Sequence, residues 1–376
     1  MRTMLFFTSI FCSLALASGA AESAAKTSVL EVDVLASGHE GYHTFRIPSV
    51  MVSPKGTVLA FCEGRKNGSG DSGSIDLLLK RSTDFGRTWS SLQAVWHDGA
   101  NTCGDPCPVV DRQTGAIWLL LSHNPGVDDE SHIMAGTSTG TRTAWVSRSD
   151  DDGVAWSQPV EITKQVKRPD WTWYATGPGV GIQLRSGRLL APCDNALAGT
   201  RQWYSHVIFS DDHGATWHIG GVVGPECNES QAVELGDGSV LLNMRSYRGL
   251  NRRLVATSQD GGLTFSAPRD DPALIEPVCQ ASIIRYPGAN NVGTSRLLFS
   301  NPASTKREKL TVRLSDDEGK TWPVAKELCS GPSAYSCLTV LPDKQIGCLY
   351  ERGNKSPYEA ITFARFTLEW LTSGRD

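Results

Sequence analysis

An all-β chain built as a six-bladed propeller of four-stranded antiparallel blades is the fold this sequence predicts, and three observations predict it. One short motif, Ser-x-Asp-x-Gly-x-Thr-Trp, recurs five times, as RSTDFGRTW, RSDDDGVAW, FSDDHGATW, TSQDGGLTF and LSDDEGKTW, with its serine at Ser82, Ser149, Ser210, Ser258 and Ser315. Self-similarity at a spacing of several tens of residues is the signature of a solenoid, propeller or array. Six times the chain runs apolar and β-branched, turns on Gly, Pro or Asp, and runs apolar again; that is the pattern of a buried β-hairpin. After the N-terminal segment no long stretch has a period of 3.6 residues, so helices are expected to be few.

Taken in order, the chain opens MRTMLFFTSIFCSLALASGA, with Arg2 as the positive start, a largely apolar run from Met4 to Ala17, and small residues after it. This pattern predicts a signal peptide over residues 1–20, too short to span a bilayer, and hence a secreted or periplasmic protein. Cys12 is not read as a lipidation site, because Ile10-Phe11 lacks the small residue expected before a lipidated cysteine. Residues 28–372 are expected to form a single domain. Its hairpins are Arg46–Arg65, Asp105–Asn124, the segment from Gly177, Glu229–Arg245, the segment from Cys279, and Tyr335–Glu351. Five of them are followed by a third strand, a copy of the motif and a short fourth strand. The sixth has only Ala360–Leu368 after it, so Ser28–Leu35 is expected to complete that blade and fasten the ring. Radial repetition of this kind leaves only short, protected sheet edges.

The up-and-down order of strands separates structure from chemistry. Each motif copy falls at the turn between strands three and four, on one rim. Its Asp and Ser side chains can accept backbone N–H bonds, its Gly supplies positive φ, and its aromatic packs beneath. The motif is therefore structural, and Ala155 for Thr and Phe265 for Trp are substitutions such a role tolerates.

Composition excludes several functions. A net charge of −4 with dispersed basic residues gives no surface for nucleic acid, and no later apolar run is long enough to span a membrane. Ten cysteines less Cys12 leave nine, an odd number, so at least one is unpaired. Cys103 and Cys107 have a loose metal-like spacing with no answering Cys/His pair, which points to a disulfide or two buried thiols rather than a metal site. No cofactor is implied.

The opposite rim gathers the starts of inner strands, the ends of second strands and the loops between strands two and three. There lie Arg46, Arg65, Asp71 in the GSGDSGS loop, Glu229, Arg245, Arg307, Tyr335 and Glu351. Each alone is an ordinary strand-end polar residue. Together they include three arginines from separate blades, Arg46, Arg245 and Arg307, a set suited to an anionic ligand because the guanidinium fork matches a carboxylate. Asp71, among glycines and serines with no obvious structural partner, can serve as a proton donor. Tyr335 has an ordinary pKa near 10, and Glu229 could take its proton as a bond forms.

Phe45-Arg46-Ile47-Pro48 resembles the FRIP motif of the sialidases (neuraminidases), and the repeated motif resembles their Asp box, or BNR repeat. The resemblance covers essentially the whole chain after the signal peptide and is closest to the bacterial-type exo-α-sialidases. It implies that Arg46, Arg245 and Arg307 hold the substrate carboxylate, that Glu351 orients Arg46, and that Tyr335 and Glu229 are nucleophile and base. It also implies that Asp71 is the acid/base, that Arg65 lies beside the sugar near its 4-substituent, and that Tyr174 lines the sugar or its acyl pocket. Terminal sialic acids on glycoproteins, gangliosides or oligosaccharides would be the substrate.

Tyrosine suits that chemistry, and sialidases are the tyrosine-nucleophile exception among glycosidases. Sialic acid carries a carboxylate on its anomeric carbon. An anionic Asp or Glu attacking there meets repulsion of about 4 kcal/mol at 4 Å for an effective dielectric of 20; a neutral phenol deprotonated during attack avoids it. Two displacements, through a sialosyl-tyrosine, give net retention. A trans-sialidase would keep the same residues and add an acceptor site, whereas a non-catalytic sugar-binding propeller would lack Asp71, Glu229 or Tyr335. Two departures bear on ring-substituent or acyl specificity: Asp105 stands where such enzymes often carry Asn, and Asn195 where a His is common.

Overall fold

The inner strands of successive antiparallel ladders lie side by side and carry the polar residues of the site at one end. The computed structural model describes Met1 and residues 28–287 and 295–373; apart from Met1, the signal peptide expected over residues 1–20 lies outside the described residues. After β1 (Leu30–Ala36), β2 (Thr44–Val52), β3 (Val58–Arg65), β4 (Ile75–Ser82) and β5 (Gln93–Trp96) form one antiparallel ladder. The pattern repeats in β6 (Thr102–Val110), β7 (Ile117–Asn124), β8 (Thr143–Ser149) and β9 (Val160–Glu161). Two short helices, α1 (Glu130–Ala135) and α2 (Thr163–Val166), interrupt the connections around β8 and β9.

The third ladder departs from the sequence expectation. Its inner strand begins at Trp171 rather than Gly177, as β10 (Trp171–Thr176), breaks, and resumes as β11 (Ile182–Gln183); both pieces pair with β12 (Leu189–Leu197), which continues to β13 (Trp203–Ser210) and β14 (His218–Val223). The break falls on Gly177-Pro178-Gly179, where proline has no N–H for the ladder and glycine offers no side chain to pack. The fourth ladder is regular: β15 (Cys227–Glu234), β16 (Val240–Ser246), β17 (Arg252–Ser258) and β18 (Arg269–Ile275).

In the fifth, β19 (Ser282–Arg285), β20 (Leu297–Pro302) and β21 (Glu308–Ser315) lead into β22 (Val324–Val340), a single strand of 17 residues shared by two ladders. It pairs with β21 through Pro332 and with β23 (Ile346–Arg352) from Ser333 onward. Pro332 stands where the partner changes, so its missing N–H costs little. From β23 the chain passes to β24 (Ala360–Phe366) and α3 (Leu368–Thr372), and β1 lies antiparallel on the outer side of β24, with Leu30 opposite Arg365. The N-terminal strand thus completes the last ladder, as expected. Successive ladders pack side by side: β2 against β6, β6 against β10 and β11, the second strand β12 against β15, β15 against β19, β19 against β22, and β22 back against β2.

The repeated motif sits where a structural role needs it. In the first copy Ser82 Oγ donates to Asp84 Oδ1 (2.7 Å) and accepts from Gly86 N (2.8 Å), while Thr88 donates its N–H (2.9 Å) and hydroxyl (2.6 Å) to the Asp84 carboxylate. Asp212, Asp260 and Asp317 repeat the arrangement; at Asp151 the hydroxyl bond is missing because Ala155 replaces Thr. Gly86 has φ +85°, and a Cβ there would lie 2.1 Å from the Phe363 ring, so only glycine fits. The motif aromatics stitch ladders together: Trp89 meets Phe363 of β24 edge-on at 5.4 Å, and Trp156 meets Phe61 of β3 at 5.7 Å. Register separates the two ends of the ladder. Ser82 pairs with Val58 and Ile75 with Arg65, so the motif and Arg65 lie seven residues apart, roughly 23 Å at strand rise.

Candidate active site

Irregular pairing recurs at one end of the inner strands. Register shifts fall between Arg46 and Ser49, Gly104 and Cys107, Trp171 and Tyr174, Cys227 and Ser230, and Ser333 and Ser336. Such bulges bend a strand and re-aim its side chains, and they concentrate beside active sites. At the first of them Ile47 adopts φ +61°, a sparsely populated conformation for a β-branched residue.

Glu351 on β23 holds that bend. One carboxylate oxygen accepts from Arg46 Nε (2.7 Å) and Ile47 N (3.0 Å), and the other accepts from the backbone N–H of Tyr335 (3.0 Å). Glu351 is fully buried, so its charge is satisfied by these bonds rather than by water. A single carboxylate therefore fixes both the first arginine and the backbone of Tyr335.

The Tyr335 phenol donates a short hydrogen bond to Glu229 Oε1, and Arg245 Nη1 reaches both Glu229 Oε2 (2.8 Å) and the phenol oxygen (3.2 Å). The guanidinium carbons of Arg46 and Arg307 lie 5.1 and 5.6 Å from the centre of the Tyr335 ring. Burial pushes the Tyr335 pKa well up, the Glu229 charge pushes it further, and Arg245 and Arg307 oppose both. The phenol is thus neutral at rest, with an acceptor carboxylate already bonded to its proton.

Arg65 and Asp71 form the other side. Arg65 makes two bonds to Glu63 Oε2 (3.0 and 2.7 Å) and pairs with Asp71 at 2.6 Å; Arg46 lies 3.8 Å from the same carboxylate. Crowding by the surrounding protein, which thins its hydration, would raise the Asp71 pKa, but the charges of Arg65 and Arg46 outweigh it and hold the carboxyl below its usual range. This corrects the expectation that Asp71 lacks a structural partner: Arg65, at the end of β3 where the loop begins and bonded to Ser69 O within it (2.6 Å), is one. The Asp71 side chain remains 64% exposed, so it is open to a ligand.

A second correction concerns Tyr174. It is fully buried with its hydroxyl directed at Cys193 Sγ (3.6 Å), packed with Trp171 and His206; it belongs to the core. Its neighbour Trp173 instead carries the Arg142 guanidinium 4.0 Å above its ring. Arg142 in turn pairs with Asp105, whose N–H donates to Glu63 Oε1 (3.0 Å). The negative charge that Asp105 brings to the rim is thereby neutralised within the site. Asn195 is buried.

Glu63, Arg142 and Tyr358 were not picked out from sequence. Glu63 sits two residues before Arg65, hence on the same strand face, and Tyr358 lies in a loop between second and third strands, the kind that supplies Asp71 and Arg307. Both signals were present. Arg142 closes the β7–β8 connection, a loop of the same kind, so the signal was there for it too. Among the described residues no group of His, Cys, Asp and Glu is arranged to hold a metal, and Cys103 and Cys107 are separate buried thiols. A cavity of about 960 Å³ opens elsewhere, at the far end of the inner strands beside Met51, Val110, Leu235 and Thr339. None of the residues above lines it.

Comparison with known proteins is consistent in direction. A BNR repeat-like domain model matches residues 56–348. A sialidase of Micromonospora viridifaciens is 40% identical over 364 residues, spanning 91% of this chain and 54% of its own length; the chain thus spans about half of that relative. An exo-alpha-sialidase of Aspergillus fumigatus is 34% identical over 368 residues, spanning 89% of this chain and 86% of its own. The solved structure of the Hadza microbial sialidase Hz136 superposes with a TM-score of 0.83 at 35% identity, over 91% of this chain and 69% of that one.

Proposed function

This chain belongs to the sialidase family, and we propose that it is an exo-α-sialidase, releasing terminal α-linked sialic acid from glycoproteins, gangliosides or oligosaccharides with retention. The observation that carries the reading is the Glu229–Tyr335–Arg245 contact, a buried neutral phenol bonded to a carboxylate and flanked by three arginines. The six groups of strands, and ladders that pack in succession back to β2, support a single six-bladed propeller over residues 28–372. The N-terminal pattern of residues 1–20 supports export to a secreted or periplasmic location.

Arg46, Arg245 and Arg307 take the substrate carboxylate, with Glu351 fixing Arg46, and Arg65 lies beside the ring. Tyr335 attacks the anomeric carbon as Glu229 removes its proton, the usual activation of a weak nucleophile by an adjacent base. Asp71 protonates the departing oxygen and later activates water to release the sugar. At rest Asp71 is ionised, held so by Arg65 and Arg46. The incoming carboxylate neutralises part of that positive charge and the sugar displaces water; both changes raise the Asp71 pKa towards the acid its role requires. Purified protein incubated with an aryl α-sialoside should release the phenol and free sialic acid. Release of neither, from folded protein, contradicts the proposal.

A further inference from the structure

We infer that Tyr358 is a positioning residue for the carboxylate clamp, setting the spacing of Arg46 and Arg307; the inference rests on the sialidase reading above and deepens it. Tyr358 uses both parts of its side chain. Its ring lies 4.1 Å from the Arg46 guanidinium carbon, and its hydroxyl accepts from Arg307 Nη1 at 2.7 Å. Arg46 thus lies close to two aromatic rings, Tyr358 and Tyr335, while a buried carboxylate fixes its Nε edge.

Arg307 differs from the other two arginines. Arg46 pairs with Glu351 and Arg245 with Glu229, whereas the hydrogen bonds that hold the Arg307 guanidinium go to neutral oxygens, Tyr358 Oη at 2.7 Å and Val278 O at 3.4 Å. The short one is to Tyr358. A neutral acceptor aims the guanidinium without cancelling its charge, which leaves that charge for the ligand. A carboxylate in the same place would compete with the substrate's own.

The loop that presents Tyr358 is built to be stiff. The Glu359 carboxylate accepts from the N–H groups of Asn354, Lys355 and Ser356 at 3.0, 2.8 and 3.0 Å. Ser37 Oγ donates to Tyr358 O at 2.8 Å, tying the loop to the residue that follows β1. At Gly353 a Cβ would fall 2.0 Å from Ser356 O, so the chain folds back more tightly than any side chain permits. Tyr358 also packs against the buried cluster of Ile47, Cys279, Ala334 and Tyr335, which includes the strained residue Ile47.

The test is Tyr358→Phe and Tyr358→Leu, alone and with Arg307→Ala, each first checked for wild-type melting. Arginines that grip the carboxylate equally in ground and transition states act on KM. Tyr358→Phe, losing the acceptor but keeping the ring, should raise KM for an aryl sialoside about tenfold with kcat within about twofold, and Tyr358→Leu should raise it further. Calorimetry with 2,3-dehydrated sialic acid and its methyl ester supplies a readout that general damage does not move. Tyr358→Phe should weaken the acid about tenfold and the ester little, and should add nothing in the Arg307→Ala background. Equal losses for acid and ester, or additive losses with Arg307→Ala, overturn the inference. So does wild-type behaviour of Tyr358→Phe in an enzyme that turns over normally. A wild-type protein that neither cleaves the sialoside nor prefers acid over ester sinks the sialidase reading, and this inference with it.

Discussion

Single side chains decide what this surface can bind. Arg46, Arg245 and Arg307 come from β2, β16 and the β20–β21 loop, and each removal would leave a bound carboxylate short of a charge-assisted partner. Arg46→Ala, Arg245→Ala and Arg307→Ala should each cost about 2–5 kcal/mol in binding a sialic-acid-derived inhibitor, read by calorimetry. Wild-type affinity in all three would place the carboxylate elsewhere. Asp71→Ala should discriminate by leaving group, because an activated aryl oxygen departs without the proton that a natural glycosidic oxygen needs. In pre-steady-state measurements of glycosylation, sialyl-lactose should lose far more rate than an activated aryl sialoside; equal losses would remove Asp71 from the acid role. At this scale the sequence was legible where a residue stands at a strand end, since topology alone then gives the rim. It was not legible for Tyr174, where adjacent strand residues point to opposite faces and a bulge between Trp171 and Tyr174 hides which is which. Nor could it show the Arg65–Asp71 pair, formed by the fold of one loop.

At the scale of the element, the repeated turn does its work far from the chemistry. Its aspartates are held low by local bonds. Burial would raise Asp84, but the hydroxyl and N–H of Thr88, the hydroxyl of Ser82 and the N–H of Arg87 bring it down to about 2, and Asp212 and Asp260 behave alike. In Asp317 the Thr321 hydroxyl is the largest influence, again giving about 2. A carboxyl depressed in the folded state stabilises fully above its unfolded value near 4, and that contribution is lost as pH falls towards 2. Stability should therefore decline from about pH 4 downward. Asp84→Ala should flatten part of that decline and lower the melting temperature by a few degrees, about 1–2 kcal/mol for lost turn bonds at a half-exposed site, with turnover per folded molecule unchanged. Loss of turnover without loss of stability would contradict the separation of the two ends. Turn chemistry made these elements readable, because Gly, Asp and Ser mark them directly. Strand limits were harder. The single strand β22 and the early start of β10 depend on which neighbour supplies hydrogen bonds, and that information is tertiary.

Across the whole molecule, residues far apart in sequence meet because the inner strands share one end. Glu229 and Tyr335 are 106 residues apart and Arg46 and Glu351 are 305 apart, yet each pair is hydrogen-bonded. The N-terminal strand lies on β24, with Tyr350 donating to Glu31 at 2.5 Å and Arg352 pairing with Asp33 at 2.8 Å, so both ends of the chain brace the ladder that carries Tyr335. The repeat made the succession of ladders legible in sequence, since five copies of one turn imply repeated units before any strand is assigned. In the proposed mechanism this assembly serves one oxygen atom, the Tyr335 phenol. A sialosyl fluoride carrying a second fluorine at C3 tests it most directly: fluorine beside the anomeric centre slows both steps, while the fluoride leaving group still lets the first proceed. Intact-mass analysis should show one added sugar, peptide mapping should place it on Tyr335, and Tyr335→Phe should take up none. An adduct on Glu229, or a β anomer as the first product of an ordinary substrate, would contradict the account.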